Sequence, residues 1–372
     1  MNIPFYRAQI GTEEHQAITD VLDGNVYSAV EALEEEFTDY VGATYALSTS
    51  HGTSALHLAM LAIDLKRGDK VLCSVNSYPA VPEVVRHFDA EPIFIDIDKE
   101  NFSIDLNKLE SYLEDSATKK LKAVIVSHIA GQPVDLDRLY NIAKIYGVKI
   151  VEDASDALGA VYKGKKIGAT GADITCFSFA THLKKSVCAG GMLVTENEEI
   201  YERAKLLRNH AMTHDDEGLE YIYDVVDIGN KYTMSDLDAA FISQQLKKQD
   251  SSIERQKQIA AIYSDKLSEA KHIELPIIGT DHSCSLYIIK VDKNRDSFAR
   301  ELDEKGIETG LHYIPLHLLS YYKTKYMLRV NDFPVALRTF QQVLSLPIYA
   351  SLSDKEIKYI CDSILEVNKN RV

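Results

Sequence analysis

The chain has 372 residues, 45% of them hydrophobic and 26% charged, with a formal net charge of -15, a profile that predicts a soluble globular protein with room for two domains. The acidic balance argues against nucleic acid, whose phosphates need a basic face, while leaving room for a small anion held by local donors. Five cysteines without CxxC or metal-ligand spacing predict reduced thiols and a cytoplasmic location, and neither a signal-peptide core at 1–7 nor a bilayer-length apolar run is present.

Residues 12–40 carry two helical patterns around Val21-Leu22-Asp23-Gly24, followed by a short strand at 45–50. His51-Gly52-Thr53-Ser54-Ala55 comes next, and then an apolar helix at 56–63. Such a strand, glycine-hydroxyl turn and helix offer backbone N–H groups and the positive end of the helix dipole to a phosphate. The same turn also serves as a plain N-cap.

Apolar strands are predicted at 71–75, 91–97, 121–127 and 149–153, with helices at 80–88 and 135–146. Continuous apolar strands alternating with amphipathic helices predict a mainly parallel sheet covered on both faces. Ligands of such sheets gather at the carboxyl ends of the strands. Asp153 stands at one of those ends, where it either shares a crevice with Gly52 or acts as an ordinary loop acid.

The stretch 176–191 reads as a strand containing Ser178, a turn carrying His182, Lys184 and Lys185, and Gly190-Gly191 opening a strand at 192–195. A lysine on a turn between buried strands is partly desolvated, which favours the neutral amine that attacks a carbonyl. Paired lysines on a turn equally suit a solvated surface. Farther on, a long helix at 253–270 leads to a strand at 286–291, a helix at 295–306 ending at glycine, a strand at 307–313 and a closing helix at 354–368. The expected division is a large domain at 1–248 and a small one at 249–372.

Nine segments fall in a family order: Ser50-His-Gly-Thr-Ser-Ala-Leu-His57, Ser77-Tyr78, His128-Ile-Ala-Gly-Gln-Pro133, Glu152-Asp-Ala-Ser-Asp-Ala-Leu-Gly159, Phe177-Ser-Phe179 with Gly190-Gly191, Leu207-Arg-Asn-His-Ala-Met212, Met234-Ser-Asp236, His312-Tyr-Ile-Pro-Leu-His317 and Leu344-Ser-Leu-Pro-Ile-Tyr349. Over nearly its whole length the chain resembles the DegT/DnrJ/EryC1/StrS sugar aminotransferases. The resemblance implies an α/β fold of fold-type I: a mainly parallel, seven-stranded-type sheet between helices, plus a smaller C-terminal α/β domain. It implies pyridoxal 5'-phosphate as cofactor, a homodimer with interfacial active sites, and a nucleotide-linked keto-sugar and glutamate as substrates. No metal, nucleic acid or membrane is implied.

By the same resemblance, Asp153 pairs with the pyridine nitrogen, Tyr78 stacks on the ring, and Gly52, Thr53 and Ser178 cradle the phosphate. Lys231 stands where an asparagine commonly reaches the neighbouring subunit's phosphate, and could hold it as a point charge or be a surface lysine. His312 and Tyr313 fall near the sugar, although a structural role suits the pair as well.

Lys184 is the candidate Schiff-base lysine and proton shuttle, but an ungapped comparison puts Leu183 at the family position, with Lys184 one place later. Lys185 is a poorer candidate, and His182 lies one place early. Asp156 replaces the usual histidine or glutamine, and Thr233 a common arginine. These departures keep two other readings open. One is a 3-dehydratase, whose relatives carry histidine in place of the lysine; the other is a silent member acting as a ligand-binding or partner subunit.

Overall fold

The computed structural model describes residues 1–116, 118–179, 187–214, 221–369 and 371. Seven strands form the central sheet: β1 (Tyr45–Thr49), β2 (Lys70–Ser74), β3 (Glu91–Ile95), β4 (Leu121–Ser127), β5 (Lys149–Asp153), β6 (Ile174–Ser178) and β7 (Gly191–Thr195), in the spatial order β1-β7-β6-β5-β4-β2-β3. Strands β3, β2, β4, β5 and β6 pair in parallel, and β7 runs against its neighbours β6 and β1. The apolar runs are continuous because both faces are covered. One face packs Leu33, Phe37 and Leu139 from helices Ala29–Val41 and Leu136–Tyr146. The other packs Leu56, Leu58 and Met60 from helix Gly52–Ala62.

Local signals explain where the covering helices start and stop. Ser28 accepts a hydrogen bond from the Glu31 N–H to open helix Ala29–Val41, and Gly42 at φ 81° closes it. Asp135 and Gly147 do the same for Leu136–Tyr146, so each helix has a hydroxyl or carboxylate cap at one end and a left-handed glycine at the other. Helix Gly52–Ala62 begins earlier than the expected 56, because the glycine-hydroxyl turn is itself its first turn.

A second, antiparallel sheet joins Ile273–Glu274, Tyr287–Val291 and Val343–Leu346. Helices Gln249–Lys266, Arg295–Glu304 and Asp354–Lys369 bury Tyr263, Phe298 and Ile364 against it, together with Ile3 from the start of the chain. Its opposite side places Leu286, Ile288 and Val343 against Phe102 and Ile129. The helices Asp236–Lys247 and Gln249–Lys266 meet at Lys248, so the long helix starts four residues before the expected 253.

The expected strand at 307–313 is not formed. Ile307 and Gly310 make only single bridges, to Ile3 and Ser345. Gly310 exchanges both backbone hydrogen bonds with Ser345, but the pairing goes no further, since the Tyr313 N–H donates instead to Asn76 Oδ1 after β2 at 3.2 Å. Residues 311–313 instead turn toward the carboxyl ends of the large sheet. No helix among the described residues is long and apolar enough to cross a membrane.

Candidate active site

Strands β1, β4, β5 and β6 run in one direction, so their carboxyl ends bring the turn at Gly52, Ser127, Asp153 and Ser178 to one side of the sheet. They line a cavity of about 870 Å³, and Phe5 of the N-terminal segment with His312 and Tyr313 forms another part of its wall.

Asp153 is 7% exposed and tightly held. Its Oδ2 accepts from Ser127 Oγ at 3.1 Å, and its Oδ1 accepts from Ser155 Oγ at 2.6 Å and Ser155 N at 3.2 Å. Donors on both oxygens fix the direction of its carboxyl group. Neither serine was singled out in the sequence. Ser127 matters through its register opposite Asp153 on β5, which only strand pairing reveals. Ser155 did leave a signal, since a serine two residues after an aspartate is the spacing of an Asx turn.

Asp156 lines the same cavity, and its Oδ2 accepts from Ala130 N at 3.3 Å. Removal from water, reinforced by the charge of Asp153, pushes its carboxyl up to about 7.

The opposite part of the cavity is a cradle. Gly52, Thr53 and Ser54 form the first turn of an 11-residue helix, where backbone N–H groups have no intrahelical acceptor. A Cβ on Gly52 would lie 2.5 Å from Ser178 Cβ, and one on Gly191 would lie 2.5 Å from the His51 carbonyl oxygen. Glycine at both positions therefore lets the helix start abut β6 and β7, setting Thr53 and Ser178 side by side on the cavity wall.

Tyr78, which follows β2, is 38% exposed on that wall, with its ring 6.1 Å from the Tyr313 ring. Tyr313 is anchored by its N–H to Asn76 Oδ1 at 3.2 Å. Burial, with Asp156, Asp153 and Tyr78 around it, holds its hydroxyl well above the usual range. His312 stacks on Phe5 and meets Ser345 Oγ through Nδ1 at 2.8 Å.

The structure thus brings together Gly52, Thr53, Tyr78, Asp153, Ser178, His312 and Tyr313. Lys231 is not part of this wall; its Nζ donates to Asn209 Oδ1 at 2.9 Å on an exposed surface. Lys184 lies outside the described residues, as do His182, Leu183 and Lys185. No group of three or more His, Cys, Asp or Glu among the described residues is arranged to hold a metal ion.

The model of the DegT/DnrJ/EryC1/StrS aminotransferase family matches residues 8–365. The chain belongs to that family. The spore coat polysaccharide biosynthesis protein SpsC of Bacillus subtilis (strain 168) is 32% identical, with 99% of this chain and 97% of that protein covered. GDP-perosamine synthase of Escherichia coli O157:H7 is 30% identical, with 98% of each covered. Among solved structures, Spr1654 of Streptococcus pneumoniae, described as a sugar aminotransferase and solved in its PMP form, superposes with a TM-score of 0.90 at 28% identity, covering 99% of this chain and 98% of that one. The fold is that of the fold-type I aminotransferases, and this DegT/DnrJ/EryC1/StrS member is an enzyme of the transferase class.

Proposed function

We propose that the protein is a pyridoxal-phosphate-dependent aminotransferase that passes an amino group from glutamate to a keto group on a nucleotide-linked sugar. The observation that carries this reading is Asp153: a carboxyl group held at both oxygens, in a cavity that also contains a helix-start cradle closed by Gly52 and Ser178. That combination fits a ligand with a basic aromatic nitrogen at one end and a phosphate at the other. The names of GDP-perosamine synthase and SpsC support a sugar acceptor.

When bound, the cofactor supplies an electron sink for the carbon that gives up its proton. Asp153 holds the positive charge of the ring nitrogen. Gly52 and Thr53 offer N–H groups to the phosphate, and the Thr53 and Ser178 hydroxyls add donors. Tyr78 fixes the ring plane with its flat face. Lys184 would move the proton between the substrate carbon and the cofactor, the general acid-base part of the transfer. His312 and Tyr313 orient the sugar, held in place by Ser345 and Asn76.

The same reading makes the enzyme a homodimer in which Lys231 serves the partner's phosphate. Tyr221, Ile222, Tyr223, Val225, Val226 and Ile228 are all half-exposed or more, an apolar surface suited to a second copy. Five free cysteines fit a reducing cytoplasm, and the helix junction at Lys248 suits a domain division between 248 and 249.

The experiment is a half-reaction. Cofactor-loaded protein mixed with glutamate should release 2-oxoglutarate in one equivalent, and the resulting form should then aminate one member of a panel of nucleotide-linked keto-sugars. Loss of a sugar hydroxyl without amine transfer would replace this reading with the 3-dehydratase. No turnover in either half would leave the silent-member reading standing.

A further inference from the structure

Asp153 and Asp156 bring two carboxylates to one cavity from a single turn after β5, yet their surroundings differ. Asp153 receives three hydrogen bonds on its two oxygens, whereas Asp156 receives one, the 3.3 Å contact from Ala130 N to Oδ2. Around the cavity stand Asp153 on the same turn, His128 after β4, Tyr78 after β2, His51 before the helix start, Tyr6 near the start of the chain, Arg300 and Asp303 on helix Arg295–Glu304, and Glu308, His312 and Tyr313 in the segment that follows it. His182, Lys184 and Lys185 belong to the segment outside the described residues. Among the described residues, Asp156 forms no ion pair.

Two like charges on one turn are costly to carry together where both are withdrawn from bulk water. The three donors answer both oxygens of Asp153, whereas Asp156 has one. We propose that Asp156 serves this cavity as a neutral carboxylic acid, donating a hydrogen bond to an anionic oxygen of the bound cofactor while Asp153 carries the negative charge. The proposal rests on the cofactor reading above. Pyridoxal phosphate brings acceptor oxygens on its ring and phosphate, which a protonated carboxyl answers and a second carboxylate repels.

The direction of the pH effect follows. The Asp156 carboxyl, raised to about 7, is protonated below that value and ionised above it. Cofactor affinity should therefore be full on the acid side and fall as pH rises through this range, by up to about tenfold per pH unit where the proton is fully linked to binding. Asp156→Asn keeps the size and a donor but removes the titration.

The test compares pyridoxal phosphate dissociation constants of the wild type and Asp156→Asn by equilibrium dialysis between about pH 6 and about pH 9. Because titration of the cofactor itself is common to both proteins, the ratio of the two constants isolates Asp156. The expected result is similar affinity at the acid end and a growing advantage for Asp156→Asn toward the alkaline end. An infrared difference spectrum of the cofactor-free proteins, wild type minus Asp156→Asn, should also show a protonated carboxyl band at the acid end that disappears at the alkaline end. A pH-independent ratio, or no such band, would overturn the assignment. Failure of both proteins to bind the cofactor at any pH would instead remove the cofactor reading, and this proposal with it.

Discussion

Asp153→Asn should lower the rate of the glutamate half-reaction on the order of 100-fold or more, the size of effect seen when a preorganised charge is taken from a reacting centre. Asparagine fills the same volume, and its carbonyl oxygen can still accept from Ser127 or Ser155, so the fold should survive. What disappears is the negative charge that answers a cationic ring nitrogen, and with it the electron-withdrawing form of the ring. The change also removes the charge next to Asp156, so the Asp156 carboxyl should titrate lower in this variant than the value of about 7 it has in the wild type. Single-turnover kinetics with glutamate measure the first effect. A rate within about threefold of wild type would mean that Asp153 has no part in the chemistry.

Gly52→Ala should weaken pyridoxal phosphate binding by about tenfold to a hundredfold, the range that corresponds to a typical overpacking cost of about 1–3 kcal/mol. The new methyl would lie 2.5 Å from Ser178 Cβ and 3.1 Å from Ser178 Cα, so either the helix start or the end of β6 must move. Either movement separates the first-turn N–H groups from the Ser178 hydroxyl, the two donors to which the proposed phosphate recognition is assigned. Gly279 is the control: nothing lies within 4 Å of a Cβ there, and its alanine variant should bind cofactor as the wild type does. Spectroscopic titration with pyridoxal phosphate separates the two; equal affinities would show that the cradle is not the phosphate site.

Much of this arrangement was legible in the sequence. Strands β4 and β5 span the expected 121–127 and 149–153, because their central residues, Ala123 to Val126 and Ile150 and Val151, are buried on a sheet covered on both faces. Helices Leu106–Ser116 and Glu198–Leu207 were harder to see. Each is short and rich in charge, and the first buries only Leu109 and Leu113. The run 307–313 looks like a strand by composition, but its pairing ends at Gly310, and the Tyr313 N–H goes instead to Asn76 Oδ1, a contact across 237 residues. Glycines, hydroxyls and acids of the site were legible as motifs in sequence order. Asp156 was legible too, as a departure that sets a second acid beside Asp153; the role of Ser127 was not, because it depends on which strands pair in space.

The most direct test of the whole account is reduction of the cofactor-loaded protein with borohydride, followed by peptide mapping. The holoenzyme should absorb in the visible, lose that band on reduction, and carry the pyridoxyl label on Lys184; Lys184→Ala should show neither band nor label while remaining folded. A bound cofactor that borohydride leaves unattached, or a label on a different lysine with Lys184→Ala unaffected, would contradict it.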